Sequence, residues 1–182
     1  MAYGQNIKIV GFQLLNEHTK RDIHYEKFNC GNKRINKYLK ETVFNDVFSN
    51  TFVYIDADSD DIIAFVSLSC SAIEIYDEQS FSIKETIPAV AIKYFAISED
   101  YQHMPYAPNS SQKLSDLIFD DIIGHIDGFS NECIKAGKIA LVSYKSSVNF
   151  FIRHGFKKLG GSVFFSQKDG GIPLYYDLYI EE

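Results

Sequence analysis

Gln102-His-Met-Pro-Tyr-Ala107 lies between a long apolar run and a helix-forming segment. A buried strand, a loop and a helix in that order aim backbone N–H groups at one point, an arrangement that holds a phosphate. Pro105 interrupts the series, because proline has no N–H to offer and locks φ. His103 adds an imidazole whose ordinary pKa, near ~6.5, suits proton transfer at neutral pH. Further on, Tyr144 closes an apolar run with a hydroxyl that could carry a proton, and Phe150-Phe151 precede Gly155-Phe156. Near the start, Phe28-Asn-Cys-Gly-Asn32 sets Cys30 beside a helix start, where a thiolate would be favoured. The simpler reading of that thiol, buried and inert, is the one adopted.

These residues need elements to position them. The β-branched run 87–97 is too continuous for an edge and predicts a strand buried on both faces. A helix is expected from 113 towards 126 or beyond, with Gly124 and Gly128 weakening its later turns. Residues 139–143 read as a strand and 147–154 as a short helix that Gly155 stops, since the residue past a helix end usually needs positive φ. Phe156 then folds back on the helix. Upstream, 7–14 reads as a strand, and one or two helices fall between 19 and 48, with Asn32 as an N-cap. Segments 51–55 and 62–70 form a hairpin around the turn 56–61, with 71–76 extending the sheet and 77–85 a polar loop. Strands near 161–165 and 174–179, separated by Gly170-Gly171, finish a single mixed α/β domain covering 1–182.

Read together, the motifs resemble those of the GCN5-related N-acetyltransferases. That family's closing motif is Ala-x-x-Phe-Tyr-x-x-x-Gly-Phe; here Ser147, Phe150, Phe151, Gly155 and Phe156 occupy its places. Its cofactor motif is Gln/Arg-x-x-Gly-x-Gly/Ala; Gln102 and Ala107 fit, and Pro105 stands where the middle glycine belongs. The phrase Phe28-Asn-Cys-Gly-Asn32 resembles the opening of a bacterial branch that includes toxin-like members. The resemblance implies a central mixed, mostly antiparallel sheet flanked by helices, with acetyl-CoA as cosubstrate. It implies that backbone N–H groups of Phe95, Ala96 and Ile97 hold the pantetheine and polarise the thioester. Gln102, His103, Met104, Tyr106 and Ala107 would then surround the pyrophosphate, and Phe150 and Phe151 would contact the cofactor.

Two of the family's proton carriers are missing. Ala91 stands at the position of a frequent glutamate base, and Phe151 replaces the tyrosine that protonates the departing thiolate. Tyr144 is the first substitute, ahead of Tyr94 and His103. The expected activity is N-acetyl transfer to a primary amine of a small molecule or peptide. Alternatives are a catalytically impaired acyl-CoA-binding or protein-interaction module, and a toxin-like acetyltransferase of aminoacyl-tRNA.

Composition sets the remaining bounds. At 182 residues with 46% hydrophobic content, the chain can fill one core without staples. Three widely spaced cysteines argue for a reducing compartment and against a zinc or disulfide framework. No apolar run approaches the ~20 residues of a membrane span, and no signal pattern opens the chain. A cytoplasmic bacterial protein is expected, with no membrane partner, and a homodimer is compatible with it. A net charge of −6 with scattered basic residues disfavours DNA and structured RNA and suits a cationic amine acceptor. The run Asp56-Ala-Asp-Ser-Asp-Asp61 lacks the glycine and glutamate of a calcium loop and reads as a hairpin turn.

Overall fold

The computed structural model describes residues 7–77, 79–80, 82–107, 110–160 and 171–178. In chain order the elements are β1 (Ile9–Leu14), α1 (Thr19–Asp22), α2 (Lys33–Lys37), β2 (Asn50–Asp56), β3 (Ile62–Tyr76) and β4 (Ile83–Ile97). There follow α3 (Leu114–Phe129), β5 (Lys138–Ser143), α4 (Val148–Arg153), β6 (Lys157–Lys158) and β7 (Ile172–Asp177). The strands form one seven-stranded mixed sheet in the order β1-β2-β3-β4-β5-β7-β6. β4 and β5 pair in parallel, whereas β1 with β2, β2 with β3, β5 with β7 and β6 with β7 are antiparallel. Among the described residues no helix is long and apolar enough to cross a membrane.

The strands depart from the sequence expectation in length. Residues 62–70 and 71–76 are one strand, β3, and β4 begins at Ile83, inside the expected polar loop. The intervening turn closes tightly because Asp77 accepts from Ser80 N–H at 2.8 Å, Ser80 Oγ at 2.9 Å and Gln79 N–H at 3.0 Å. Those bonds, the Ser80 N–H foremost, hold its carboxyl below the usual range. The two-residue strand β6 had no sequence signal, and the expected strand at 161–165 lies outside the described residues.

The chain divides into two compact units. The first comprises residues 1–68 and 94–123. Its core contains Phe28, Leu39, Val53, Phe65 and Ala96, with Phe28 edge-on to Phe65 at 5.3 Å and Tyr38 stacked on Tyr94 at 4.1 Å. Tyr38 can be buried because its hydroxyl meets Ser67 Oγ at 2.8 Å and Asp46 Oδ2 at 3.1 Å. Tyr54 on β2 donates to Asp121 Oδ2 on α3 at 2.6 Å, joining helix to sheet. The turn 56–61 is the expected hairpin, closed by Asp60 N–H to Asp56 O at 2.8 Å.

The second unit comprises residues 69–93 and 124–182. Here Ala89 to Ile92 of β4 pair with Lys138 to Leu141 of β5. Ile73, Ala89 and Ala140 form its buried centre. Asp177 on β7 takes both Lys138 and Lys157, the latter at 2.8 Å, and these pairs hold its carboxyl below the usual range. α3 runs on through Gly124 and Gly128, where a methyl group would meet only open space. Glycine on that solvent side costs about 1 kcal/mol relative to alanine and does not end the helix.

Candidate functional site

The exit of β4 is fixed before the loop begins. Ser98 N–H donates to Ile63 O at 2.8 Å, and Glu99 N–H donates to Asn29 O at 2.7 Å. A 3₁₀ turn, Glu99–Tyr101, follows. Asn29 Nδ2 donates to Glu99 Oε2 at 2.6 Å. On another side, Tyr101 donates its hydroxyl to Asp56 Oδ2 at 3.0 Å, and burial, reinforced by that carboxylate, pushes the phenol up to about 12. Gln102 turns its Nε2 inward, to Ile97 O at 2.9 Å and Cys30 O at 3.3 Å. Its side chain therefore braces strand end to loop. Any role it has toward an anion must come from its neighbours' backbone.

The motif Phe28-Asn-Cys-Gly-Asn32 is the other half of this brace. Asn32 caps α2 as expected, accepting from Arg34 N–H at 3.0 Å and Ile35 N–H at 3.3 Å. Asn29 Oδ1 accepts from Gly31 N–H at 3.0 Å and Asn36 Nδ2 at 2.7 Å. Cys30 Sγ lies 3.1 Å from Asn36 Oδ1, and burial pushes the thiol up, which matches the inert reading. The phrase reads in the sequence as a capped helix, with no local signal for the pairing of Asn29 with Glu99, seventy positions away.

The loop itself is a closed turn. Tyr106 N–H donates to Gln112 O at 2.9 Å, Leu114 N–H donates to Met104 O at 2.9 Å, and Pro105 bridges to Lys113. Residues 104–106 thus pair back against 112–114 directly ahead of α3. Pro105 fits because the bridge takes its donors from the flanking residues. His103 holds a φ of 64°, a left-handed conformation unusual for a residue with a side chain. Among the described residues the N–H groups of His103 and Ala107 donate to no protein acceptor. Phe95, Ala96 and Ile97 are the last residues of β4, with the Phe95 ring 5.0 Å from that of Phe119 on α3.

The closing motif belongs to the second unit. Gly155 has φ 89° and ends α4 as expected, and Phe156 N–H folds back to Phe151 O at 3.1 Å. Phe151 is only 8% exposed, its ring edge-on to Phe150 at 5.2 Å and to Phe156 at 5.9 Å. It is part of the packing. Phe150 is half-buried, with the Arg153 guanidinium 4.9 Å from its ring. Tyr144, 43% exposed, engages the protein through its carbonyl, which accepts from Ser147 N–H at 2.9 Å and Ser143 Oγ at 2.9 Å. Its hydroxyl has no protein partner among the described residues. Ala91 lies opposite Ala140 in the ladder, and no carboxylate is present at that position.

No protein-family model matches this sequence, and no curated protein matches it. Solved structures do. A bacterial toxin matches with a TM-score of 0.74 at 16% identity, covering 94% of this chain and 92% of that one. AtaTR bound with acetyl-CoA matches with a TM-score of 0.69 at 14% identity, covering 94% of each chain. AtaT complexed with acetyl-methionyl-tRNAfMet matches with a TM-score of 0.66 at 14% identity, covering 88% of this chain and 96% of that one. At such identities the likeness is one of architecture. This chain has the mixed α/β fold of these toxins, the GCN5-related N-acetyltransferase type that its motifs resemble.

Proposed function

We propose that this chain is an acetyl-CoA-dependent N-acetyltransferase acting on a primary amine. The observation that carries the reading is the braced exit of β4. Four anchors, from Asn29, Tyr101, Gln102 and Ser98, fix the strand end and the start of the loop. Among the described residues no protein acceptor takes the N–H groups of His103 and Ala107, which are assigned to the ligand. Donors held rigid before an anion arrives cost little ordering on binding, and the pyrophosphate of acetyl-CoA is the anion proposed. The likeness of fold to AtaTR bound with acetyl-CoA supports the choice.

In the proposed reaction a neutral amine attacks the thioester carbonyl, forming a C–N bond as the C–S bond breaks. Backbone N–H groups of Phe95 to Ile97 are assigned to the developing oxyanion. The amine proton leaves to water, since Ala91 offers no base. The departing thiolate takes a proton from the Tyr144 hydroxyl, a role Phe151 cannot fill. A second reading narrows the acceptor to the aminoacyl end of a tRNA, supported by the likeness to AtaT complexed with acetyl-methionyl-tRNAfMet. Calorimetric titration with acetyl-CoA, followed by thiol release from a panel of amines and aminoacyl-tRNAs, tests both. Saturable binding with thiol release supports an enzyme; binding without release from any acceptor supports the impaired module. Absence of binding overturns the cofactor reading.

A further inference from the structure

The basic residues that look scattered along the sequence are not evenly distributed. The first forty residues hold eight lysines and arginines against three acids, so a chain of net charge −6 carries +5 there and −11 beyond. Folding concentrates half of that positive charge on one helical run. α2 continues as a wider turn, Tyr38–Thr42, and the run buries Tyr38 and Leu39 with Ile35 against the core of its unit. Lys33, Arg34, Lys37 and Lys40 are all exposed, on the side those apolar residues leave to solvent. Lys37 has an exposed i,i+4 pair with Glu41 at 3.7 Å, an interaction too weak to neutralise it. Lys33 and Lys40 have no acidic partner among the described residues.

This basic face is tied to the proposed cofactor loop within the same unit. Asn36 of α2 donates to Asn29 Oδ1 at 2.7 Å, and Asn29 donates to Glu99 at 2.6 Å. We infer that the exposed side of the run 33–42 binds the phosphate backbone of an RNA acceptor. The inference rests on the aminoacyl-tRNA reading above. A small amine would gain nothing from this surface and would be repelled by it. An extended polyanion gains from every phosphate it sets against a lysine and releases counterions in doing so. In an otherwise acidic protein, such a face also restricts where the polyanion can settle, through the repulsion it meets elsewhere.

The test measures binding of deacylated bacterial tRNA to the full chain by filter retention, over a series of salt concentrations and without acetyl-CoA. Wild type is expected to bind, with log K falling linearly as log salt rises. Replacing Lys33, Lys37 and Lys40 together by glutamine should weaken binding at low salt about tenfold or more and reduce the salt slope by about 3. The triple replacement by arginine, which keeps the charge, should retain both. Calorimetric acetyl-CoA affinity should be equal in all three proteins, so that loss of cofactor binding, a failure of the underlying reading, is told apart from loss of RNA binding. Wild type that ignores tRNA, or a glutamine variant with unchanged affinity and slope, overturns the inference. Equal retention of polyglutamate, lost in the same variant, would assign the face to an acidic protein and likewise overturn it.

Discussion

Asn29 donates through Nδ2 to Glu99 Oε2 at 2.6 Å, joining the segment ahead of α2 to the first turn after β4 across seventy positions. Gly31 makes the contact geometrically possible. Its φ is 79°, and a Cβ there would lie 2.7 Å from Glu99 Oε1. Replacing Asn29 by alanine removes a charge-assisted bond on an exposed side chain and should cost about 1 kcal/mol, or roughly 2–4 °C in Tm. Asn29→Asp should cost more, because it places a second carboxylate against Glu99. Both variants should also weaken acetyl-CoA binding several-fold, since the loop loses an anchor. Thermal melting and calorimetry check the two effects separately; a lower Tm with unchanged affinity would uncouple the brace from the cofactor.

His103 adopts φ 64° with a side chain attached. A left-handed conformation costs a non-glycine residue roughly 1–2 kcal/mol, whereas glycine reaches it freely. His103→Gly is therefore expected to melt at or above the wild-type temperature, while His103→Val, whose branched Cβ crowds the backbone further, should melt below it. Both variants keep the backbone N–H at this position, so His103→Gly should still bind acetyl-CoA. A glycine variant that melts lower than wild type would show that the imidazole itself supports the loop.

Tyr101 predicts a basic limit to stability. Its phenol, pushed up to about 12 first by burial and then by Asp56, ionises later in the folded chain than in the unfolded one, where the value is near ~10. Below pH ~10 both states hold the proton and this group contributes a constant amount to stability. Between pH 10 and 12 the unfolded chain loses its proton first, so stability falls as pH rises. Urea midpoints of wild type should drop over that interval, and Tyr101→Phe should show a smaller drop although it is less stable at pH ~8. Parallel curves for the two proteins would exclude Tyr101 as the cause.

Tyr144 and Phe151 separate chemistry from packing. Tyr144→Phe removes an exposed hydroxyl that has no protein partner among the described residues, so stability should stay within about 0.5 kcal/mol. If Tyr144 protonates the thiolate, turnover should fall by about 10²–10⁴ with acetyl-CoA affinity unchanged. Phe151→Tyr puts a hydroxyl on a ring that is 8% exposed and packed on Phe150 and Phe156. Without a new partner this should cost about 1–3 kcal/mol rather than restore catalysis. Stopped-flow thiol release and thermal melting decide the pair, and a gain in rate from Phe151→Tyr would return the acid role to that position.

Local signals fixed much of the architecture in advance. The alternating and continuous apolar runs predicted β2, β3, β4 and β5, Asn32 predicted the cap of α2, and Gly155 predicted the end of α4, because each depends on residues within a few positions of one another. The sheet and the strand–loop–helix layout of the candidate site were therefore legible. The direction of individual side chains was not. The motif offers Gln102 to a phosphate, yet its side chain turns to Ile97 and Cys30, and Glu99 carries no local signal of its pairing with Asn29. The burial of Phe151 was equally invisible in the sequence. Such pairings join positions that only chain closure makes neighbours, and which atom satisfies which is decided by packing the whole unit, not by any local propensity.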